Sequence, residues 1–411
     1  MKIGLLAYHS AINFGATLQL FSTYCFLKEK GHYPIIINWT AKDLALYYEE
    51  NASEQQRKMQ LKIRKQLWEE TPICHTSQEI ANIIETENIE AIIIGSDAVA
   101  QHHPLLERIV FPCHTIIGIN KIHSDCIYPN AFWADWQTYL SHPIPVAVIS
   151  ASCQDSVYRY IHGKLRIDMY ESIKGYLYLS VRDTWTQNMF KHITNGNIIP
   201  PITPDPVFAF TQNAAKYIPS KKEIQKRFDL KDQYILMSFI NKNTVKQQWI
   251  SEFANIAAKD GIQCVALPFA HSNSFGNLPE EIQLPLSPID WYALIKYSSG
   301  YVGHNMHPIV VALHNNVPFY SFDNYGTMHL NGLIPSDKSS KIRHILSKAG
   351  LDGQRISCLS RTFKAPTPTE VYRKIKEFDH IKANKFASEY LKQYNQMMDT
   401  VLDTFNKTEA K

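Results

Sequence analysis

In the stretch NMHPIVVALHNNVPFYSFDNYG (305–326), a histidine precedes a proline and an apolar run of helix length. Pro308 suits the first helical position, where a missing N–H costs nothing. The spacing therefore predicts His307 as the N-cap of a helix that follows a strand end. The N–H groups of Ile309 and Val310 would then face the adjoining cleft, with the positive end of the helix dipole behind them. A histidine beside such an anion hole is placed for proton transfer. The plain alternative is a histidine that only caps or packs.

Other residues with usable chemistry fall at the ends of apolar runs. His9, Asn13 and Gly15 share one loop, and Ala16 opens the helix after it. The glycine permits close backbone approach, and the helix amides could face an anion; a tight strand-to-helix turn explains the same residues. Asp97 ends Gly95-Ser96-Asp97 and is either a helix cap or an acceptor for a sugar hydroxyl. Arg182 follows Tyr-Leu-Ser-Val, where its planar fork could hold a carboxylate or phosphate. An ion pair with Asp183 or Asp205 is the alternative. His304 reads either as a packing histidine or as a second proton carrier.

The elements that must position these groups alternate between strand and helix. Strands are expected at residues 2–8, 34–39, 91–94, 145–150 and 176–181, with a helix over 16–30. A second series follows a polar stretch near 211–222. Its strands fall at 234–240, 263–267, 300–303 and 317–322, and its helices at 245–259, 289–298 and from 308. Near-continuous apolar strands separated by helices imply parallel sheets covered on both faces. In such sheets ligands collect at the carboxyl ends of strands. Two domains are expected: 1–210, with an irregular insert at 99–142, and 220–370. A helical segment, 371–411, would pack back across them. The insert holds Phe132, Trp133, Trp136 and Tyr139, which either stack on a sugar ring or fill a core.

Composition sets the outer bounds. A chain of 411 residues with net charge +4 is long for one domain. Its basic excess is spread along the chain, which argues against nucleic acid as a partner. The seven cysteines are scattered, as in a reduced, cytoplasmic protein. MKIGLLAYHSAINFG reads as a first buried strand rather than a signal peptide. No apolar run approaches the roughly 20 residues of a spanning helix, so any membrane contact would be peripheral, at the inner face.

Five segments, in order, resemble the polysaccharide pyruvyl transferase family. They are NFGATLQLFSTYCFLKEKGH (13–32), IIIGSDAV (92–99), LSVRDTWT (179–186), PDPVF (204–208) and SPIDWYALIKYSSGYVGHNMHPIVVALHNNVPF (287–319). Pro308 stands where the family has glycine after the closing histidine. Asn305-Met306 replaces Ser-Phe, and Ala98-Val99-Ala100 departs from the usual residues after Gly-Ser-Asp.

The resemblance implies an α/β fold of two Rossmann-like domains facing across a cleft, similar to B-type glycosyltransferases. It implies transfer of pyruvate from phosphoenolpyruvate to a sugar of a surface polysaccharide precursor, giving a cyclic ketal and phosphate. The catalytic residues would be His307, Arg182 and Asp97, with Arg182 on the donor's phosphate or carboxylate. Asn13, Gly15, Ala16, His9, His304 and Ile309 would bind substrate. Phosphoenolpyruvate is then a substrate; no cofactor is implied, and no metal-ligand spacing is visible. The acceptor would be a saccharide, free or lipid-linked. A nucleotide-sugar glycosyltransferase and a non-catalytic saccharide- or phosphate-binding relative share this architecture and stay open.

Overall fold

The computed structural model describes residues 1–113, 116–329, 334–360 and 362–409. In the first half, β1 (Lys2–Leu6) leads into α1 (Phe14–Glu29). β2 (Tyr33–Ile36), β3 (Ala91–Asp97), β4 (Val146–Ala151) and β5 (Tyr178–Val181) follow, and α2 (Thr184–Ile193) comes after β5. The strands form one parallel sheet in the order β2-β1-β3-β4-β5. Every residue of β3, AIIIGSD, is buried, as expected for a central parallel strand covered on both faces.

The second half runs β6 (Tyr234–Ser238), α3 (Gln247–Lys259), β7 (Gln263–Ala266), β8 (Glu280–Glu281), α4 (Pro288–Lys296) and β9 (Gly300–Gly303). It continues with α5 (Met306–His314), β10 (Phe319–Asp323), α6 (Lys341–Ala349) and β11 (Arg355–Ser357). Its sheet is also parallel, in the order β8-β7-β6-β9-β10-β11.

A helix buried on all sides joins the halves. From Phe14 to Leu27 every residue of α1 is buried, the pattern of a core helix rather than a surface one. Phe14 meets Trp291 of α4, with ring centroids 5.4 Å apart. One apolar core runs from Ile3 and Leu5 through α1 to Tyr234 and Leu236. The chain closes with α7 (Pro368–Lys376) and α8 (His380–Glu409). In α8, Tyr394 packs edge-on against Phe26 of α1, and Tyr390 lies 5.9 Å from the Lys348 ammonium of α6. No helix among the described residues is long and apolar enough to cross a membrane.

The insert at 99–142 is built from short pieces. It holds an antiparallel hairpin, Ile109–Cys113 with Ile116–Ile119, and several single 3-10 turns. Phe132, Trp133 and Trp136 are buried in the core of the first half, while Tyr139 is exposed. Phe132 tilts against Tyr8 at 4.7 Å and stands edge-on to Trp39 at 5.0 Å. These three rings fill the core instead of offering a face to a sugar.

Candidate active site

Each sheet reverses its winding direction beside its first strand, between β1 and β3 in one and between β6 and β9 in the other. Crevices form at such switch points, beyond the carboxyl ends of the strands. Here the two crevices face each other. Asn13, Phe14 and Gly15 after β1 and Asp97 at the end of β3 form one wall of a cleft. Ser238 at the end of β6 and Asn305–Pro308 after β9 form the other; Gln154, His271, Trp291, Tyr325 and Lys341 are among the residues that line the rest, around a volume of about 270 Å³.

His307 sits on the cleft wall with its ring against Gly15. A Cβ built on Gly15 would lie 2.1 Å from Cγ and Nδ1 of that ring. Only a residue without a side chain lets the start of α1 approach α5 this closely. The expected cap position is corrected by one turn geometry. Asn305, at φ 73°, is the N-cap of α5, and helix runs from Met306. Pro308 is therefore the third helical residue, still within the first turn where its missing N–H leaves no bond unmade. The amides at the cleft end are those of Met306 and His307, not Ile309 and Val310. Ile309 is buried in the apolar core and does not line the cleft.

Behind His307 runs a chain of buried charges. Arg182 donates from Nη2 to Asp97 Oδ1 at 2.9 Å and from Nη1 to Asp205 Oδ2 at 3.1 Å. Asp205 Oδ2 also accepts from Gln19 Nε2 at 2.6 Å and lies 3.9 Å from His307 Nε2. Its Oδ1 caps the turn of Pro206–Ala209 through the Val207 N–H. Both arms of Arg182 are thus committed to carboxylates, and its side chain is 2% exposed. This corrects the expectation of a free fork for the donor: Arg182 fixes Asp97 and Asp205 in place. Asp97 does not cap a helix. Burial works to raise its carboxyl, but Arg182, His307 and Lys341 outweigh that and hold it at about 2.

Neither the His307 Nε2 nor its Nδ1 makes a hydrogen bond among the described residues, and Nε2 is buried. Burial lowers the imidazole pKa, opposed by Asp205 and Asp97 and reinforced by Arg182 and Lys341. In the free protein the ring is biased toward its neutral form. Asp205 on one side and the cleft on the other give it a carboxylate partner and room for a reacting group, the arrangement of a proton carrier.

Three further expectations are corrected. His9 is wholly buried away from the cleft, with Nε2 at 2.8 Å from Asn38 Oδ1 and Nδ1 at 3.2 Å from the Ala7 carbonyl. His304 is likewise closed: Nδ1 accepts from the Ile240 N–H at 3.2 Å and Nε2 lies 2.9 Å from Thr244 Oγ1. Ala16 is buried and outside the cleft, and its N–H is taken by Asn13. Asn13 Oδ1 accepts from the N–H of Gly15 at 3.0 Å and of Ala16 at 3.3 Å. The mouth of α1 is capped from within and does not present those amides to an anion.

Sequence reasoning missed Lys341 and Tyr325. Lys341 opens α6, whose N-cap Ser340 accepts from the Arg343 N–H at 3.0 Å and donates to Asp323, which Arg355 also holds. Its ammonium lies 5.4 Å from the Tyr325 ring centre. A lysine in a first helical turn carries no signal of this kind; only the tertiary fold brings it to the cleft.

Two wound halves with their switch points opposed define an α/β protein of the B-type transferase and epimerase architecture. The structure is similar to UDP-GlcNAc 2-epimerase from Neisseria meningitidis, with TM-score 0.55 and 11% identity over 99% of this chain and 100% of that one. It is also similar to a putative UDP-N-acetylglucosamine 2-epimerase from Listeria monocytogenes, with TM-score 0.51 and 9% identity over 99% and 97% of the two chains. At these identities the likeness is one of fold. The polysaccharide pyruvyl transferase family model matches residues 13–325, and the chain belongs to that family. No curated protein matches the chain.

Proposed function

We propose that the protein transfers pyruvate from phosphoenolpyruvate to a saccharide acceptor of a surface polysaccharide precursor, forming a cyclic ketal and releasing phosphate. One observation carries this reading. The five family segments, spread from residue 13 to residue 319, meet at a single cleft or directly behind it, with His307 of the last seated on Gly15 of the first.

The chemistry asks for one proton carrier and a held anion. A proton adds to the enol methylene of phosphoenolpyruvate, and the adjoining carbon becomes oxocarbenium-like. A sugar hydroxyl attacks that carbon and gives up its proton. The C–O bond to phosphate then breaks, and a second hydroxyl closes the ketal and gives up its own proton to the departing phosphate. One of the two hydroxyl protons replaces the one spent on the methylene, so the balance closes. His307 is the proton carrier at the cleft wall. A bound trianion adds negative charge beside the imidazole and raises its pKa, which favours the protonated form needed for the first step. Asp97 keeps one oxygen on Arg182 and offers the other to an acceptor hydroxyl. A larger groove of about 930 Å³, lined by Tyr158, Trp185, Arg343 and Lys348 among others, gives the acceptor room on the side of Asp183 and Ser340.

A ligand that binds only the folded state raises the thermal midpoint by mass action. Phosphoenolpyruvate is expected to raise it more than UDP- or GDP-sugars at equal concentration. The reverse order would favour a nucleotide-sugar glycosyltransferase instead.

A further inference from the structure

We infer that the insert, together with the mouth of the basic groove beside it, is a docking surface for an anionic lipid bilayer. The inference does not depend on the pyruvyl-transfer reading. It rests on where exposed apolar and cationic side chains lie together.

Large apolar side chains scattered singly over a surface need no explanation, whereas a cluster of them marks an interaction site. Leu105 and Leu106 are consecutive and 57% and 64% exposed, and Ile119, at the end of the insert's hairpin, is 54% exposed. Tyr160, also exposed, lies in the 3-10 turn Tyr158–Tyr160. Hydrogen bonds hold these pieces together. Glu107 Oε2 accepts from the Val157 N–H at 2.9 Å, which ties the helical turn Leu105–Arg108 to Tyr158–Tyr160. Arg108 Nε donates to the Asn120 carbonyl at 3.1 Å, and Ile119 pairs with Ile109 across the hairpin. The insert leaves β3 at Asp97, and the turn at 158–160 follows β4. Both therefore start from the carboxyl ends of their strands, the end at which the cleft opens.

Positive charge adjoins the cluster. Arg108, Lys121 and Arg159 belong to the same pieces. Tyr158 and Arg159 also line the large groove, to which the second half contributes Lys338, Arg343 and Lys348. Most carboxylates nearby are engaged: Glu107 is held by His103 as well as Val157, Asp337 by Arg343 and Arg355, and Asp183 caps α2. Asp155 is exposed and opposes the cations. Lysine and arginine close to an anionic leaflet are attracted to it, and apolar side chains that enter the headgroup boundary add to the binding. A second copy of the chain suits the surface less well. In a twofold contact the patch would meet itself, and its positive charges would be brought together.

Vesicle flotation of the full chain tests this, with phosphatidylcholine vesicles and with vesicles of phosphatidylcholine and phosphatidylglycerol in equal parts. Neither donor nor saccharide is present, so the outcome is independent of the reaction catalysed. The parent should float with the anionic vesicles and not with the neutral ones, and salt should release it by screening. Leu105→Ser with Leu106→Ser should keep the thermal midpoint and partition about 10–100-fold more weakly, the worth of burying the exposed part of two leucines. Arg159→Glu with Lys338→Glu should weaken flotation and its salt dependence together. Ile381→Ser changes an exposed residue next to His380, which contacts Asn316 at the end of α5 remote from the cleft, and should float like the parent. Flotation of the leucine variant at the parental level would overturn the inference, as would a parent that ignores lipid charge or binds neither vesicle. A parent that stays off vesicles but forms dimers, lost in the leucine variant, would assign the surface to a second copy of the chain and overturn it as well.

Discussion

The ring of His307 occupies the space that any side chain on Gly15 would need, 2.1 Å from where its Cβ would stand. One glycine at the start of the first half and one histidine at the start of a helix in the second are therefore a matched pair. Gly15→Ala must push His307 off the wall. Overpacking of this kind costs roughly 1–3 kcal/mol, and displacing the proton carrier should slow turnover in addition. Pairing Gly15→Ala with His307→Ala should restore most of the stability and none of the activity. A double-mutant cycle on the thermal midpoint reads the coupling; additive effects would mean that the two residues do not touch.

Arg182→Ala removes the guanidinium between Asp97 and Asp205 and strands two buried carboxylates. Breaking a buried pair typically costs about 3–5 kcal/mol, so the variant should show a clearly lower denaturation midpoint. Arg182→Lys keeps the charge but reaches one carboxylate at a time, and should fall between. If Arg182→Ala keeps parental stability and loses only donor affinity, the arginine is a ligand and its pairing with the aspartates is incidental.

His307→Asn keeps a helix-compatible side chain and removes the titrating ring. The fold and donor binding should survive, because Asn305 rather than residue 307 caps α5. The chemical step should fall by about 10²–10⁴-fold, the usual worth of a general acid or base. One limb of the pH–rate bell should vanish with it. Turnover at the parental rate would leave His307 as packing against Gly15.

Several histidines are buried in neutral form. Burial, with Arg64 beside it, pushes the His9 pKa down to about 4, and burial pushes His304 down to about 4 as well. In the unfolded chain each takes up a proton near about 6.5. Between those values the unfolded state binds more protons than the folded one, so stability is full above the unfolded pKa and declines as pH falls toward the folded one. The thermal midpoint should drop steadily over that window and change little above it. A midpoint that stays level from about pH 6.5 down to about pH 4 would contradict the buried, neutral state of these rings.

Much of the frame was legible because parallel strands buried on both faces read as unbroken apolar runs. The expected strand at 300–303 matches β9, Gly300–Gly303, and the loop after β1 and the end of β3 do meet at the cleft. The misreadings have physical causes. A proline early in a helix fits any first-turn position, so Pro308 alone could not tell that Asn305, at a left-handed φ, caps α5. His9 and His304 look like cleft groups along the chain, but their partners Asn38 and Thr244 lie 29 and 60 residues away. Arg182 pairs across 85 residues to Asp97, and no local pattern chooses between that partner and a ligand. Lys341 has no motif around it at all; its meaning comes from burial beside the cleft, which is a property of the fold.

Release of inorganic phosphate from phosphoenolpyruvate, compared with release of UDP or GDP from nucleotide sugars over the same pool of saccharide acceptors, tests pyruvyl transfer most directly. Pyruvyl transfer predicts acceptor-dependent phosphate release, no nucleotide release, and an acceptor that gains the mass of a pyruvate ketal. Nucleotide release with phosphoenolpyruvate untouched would contradict it.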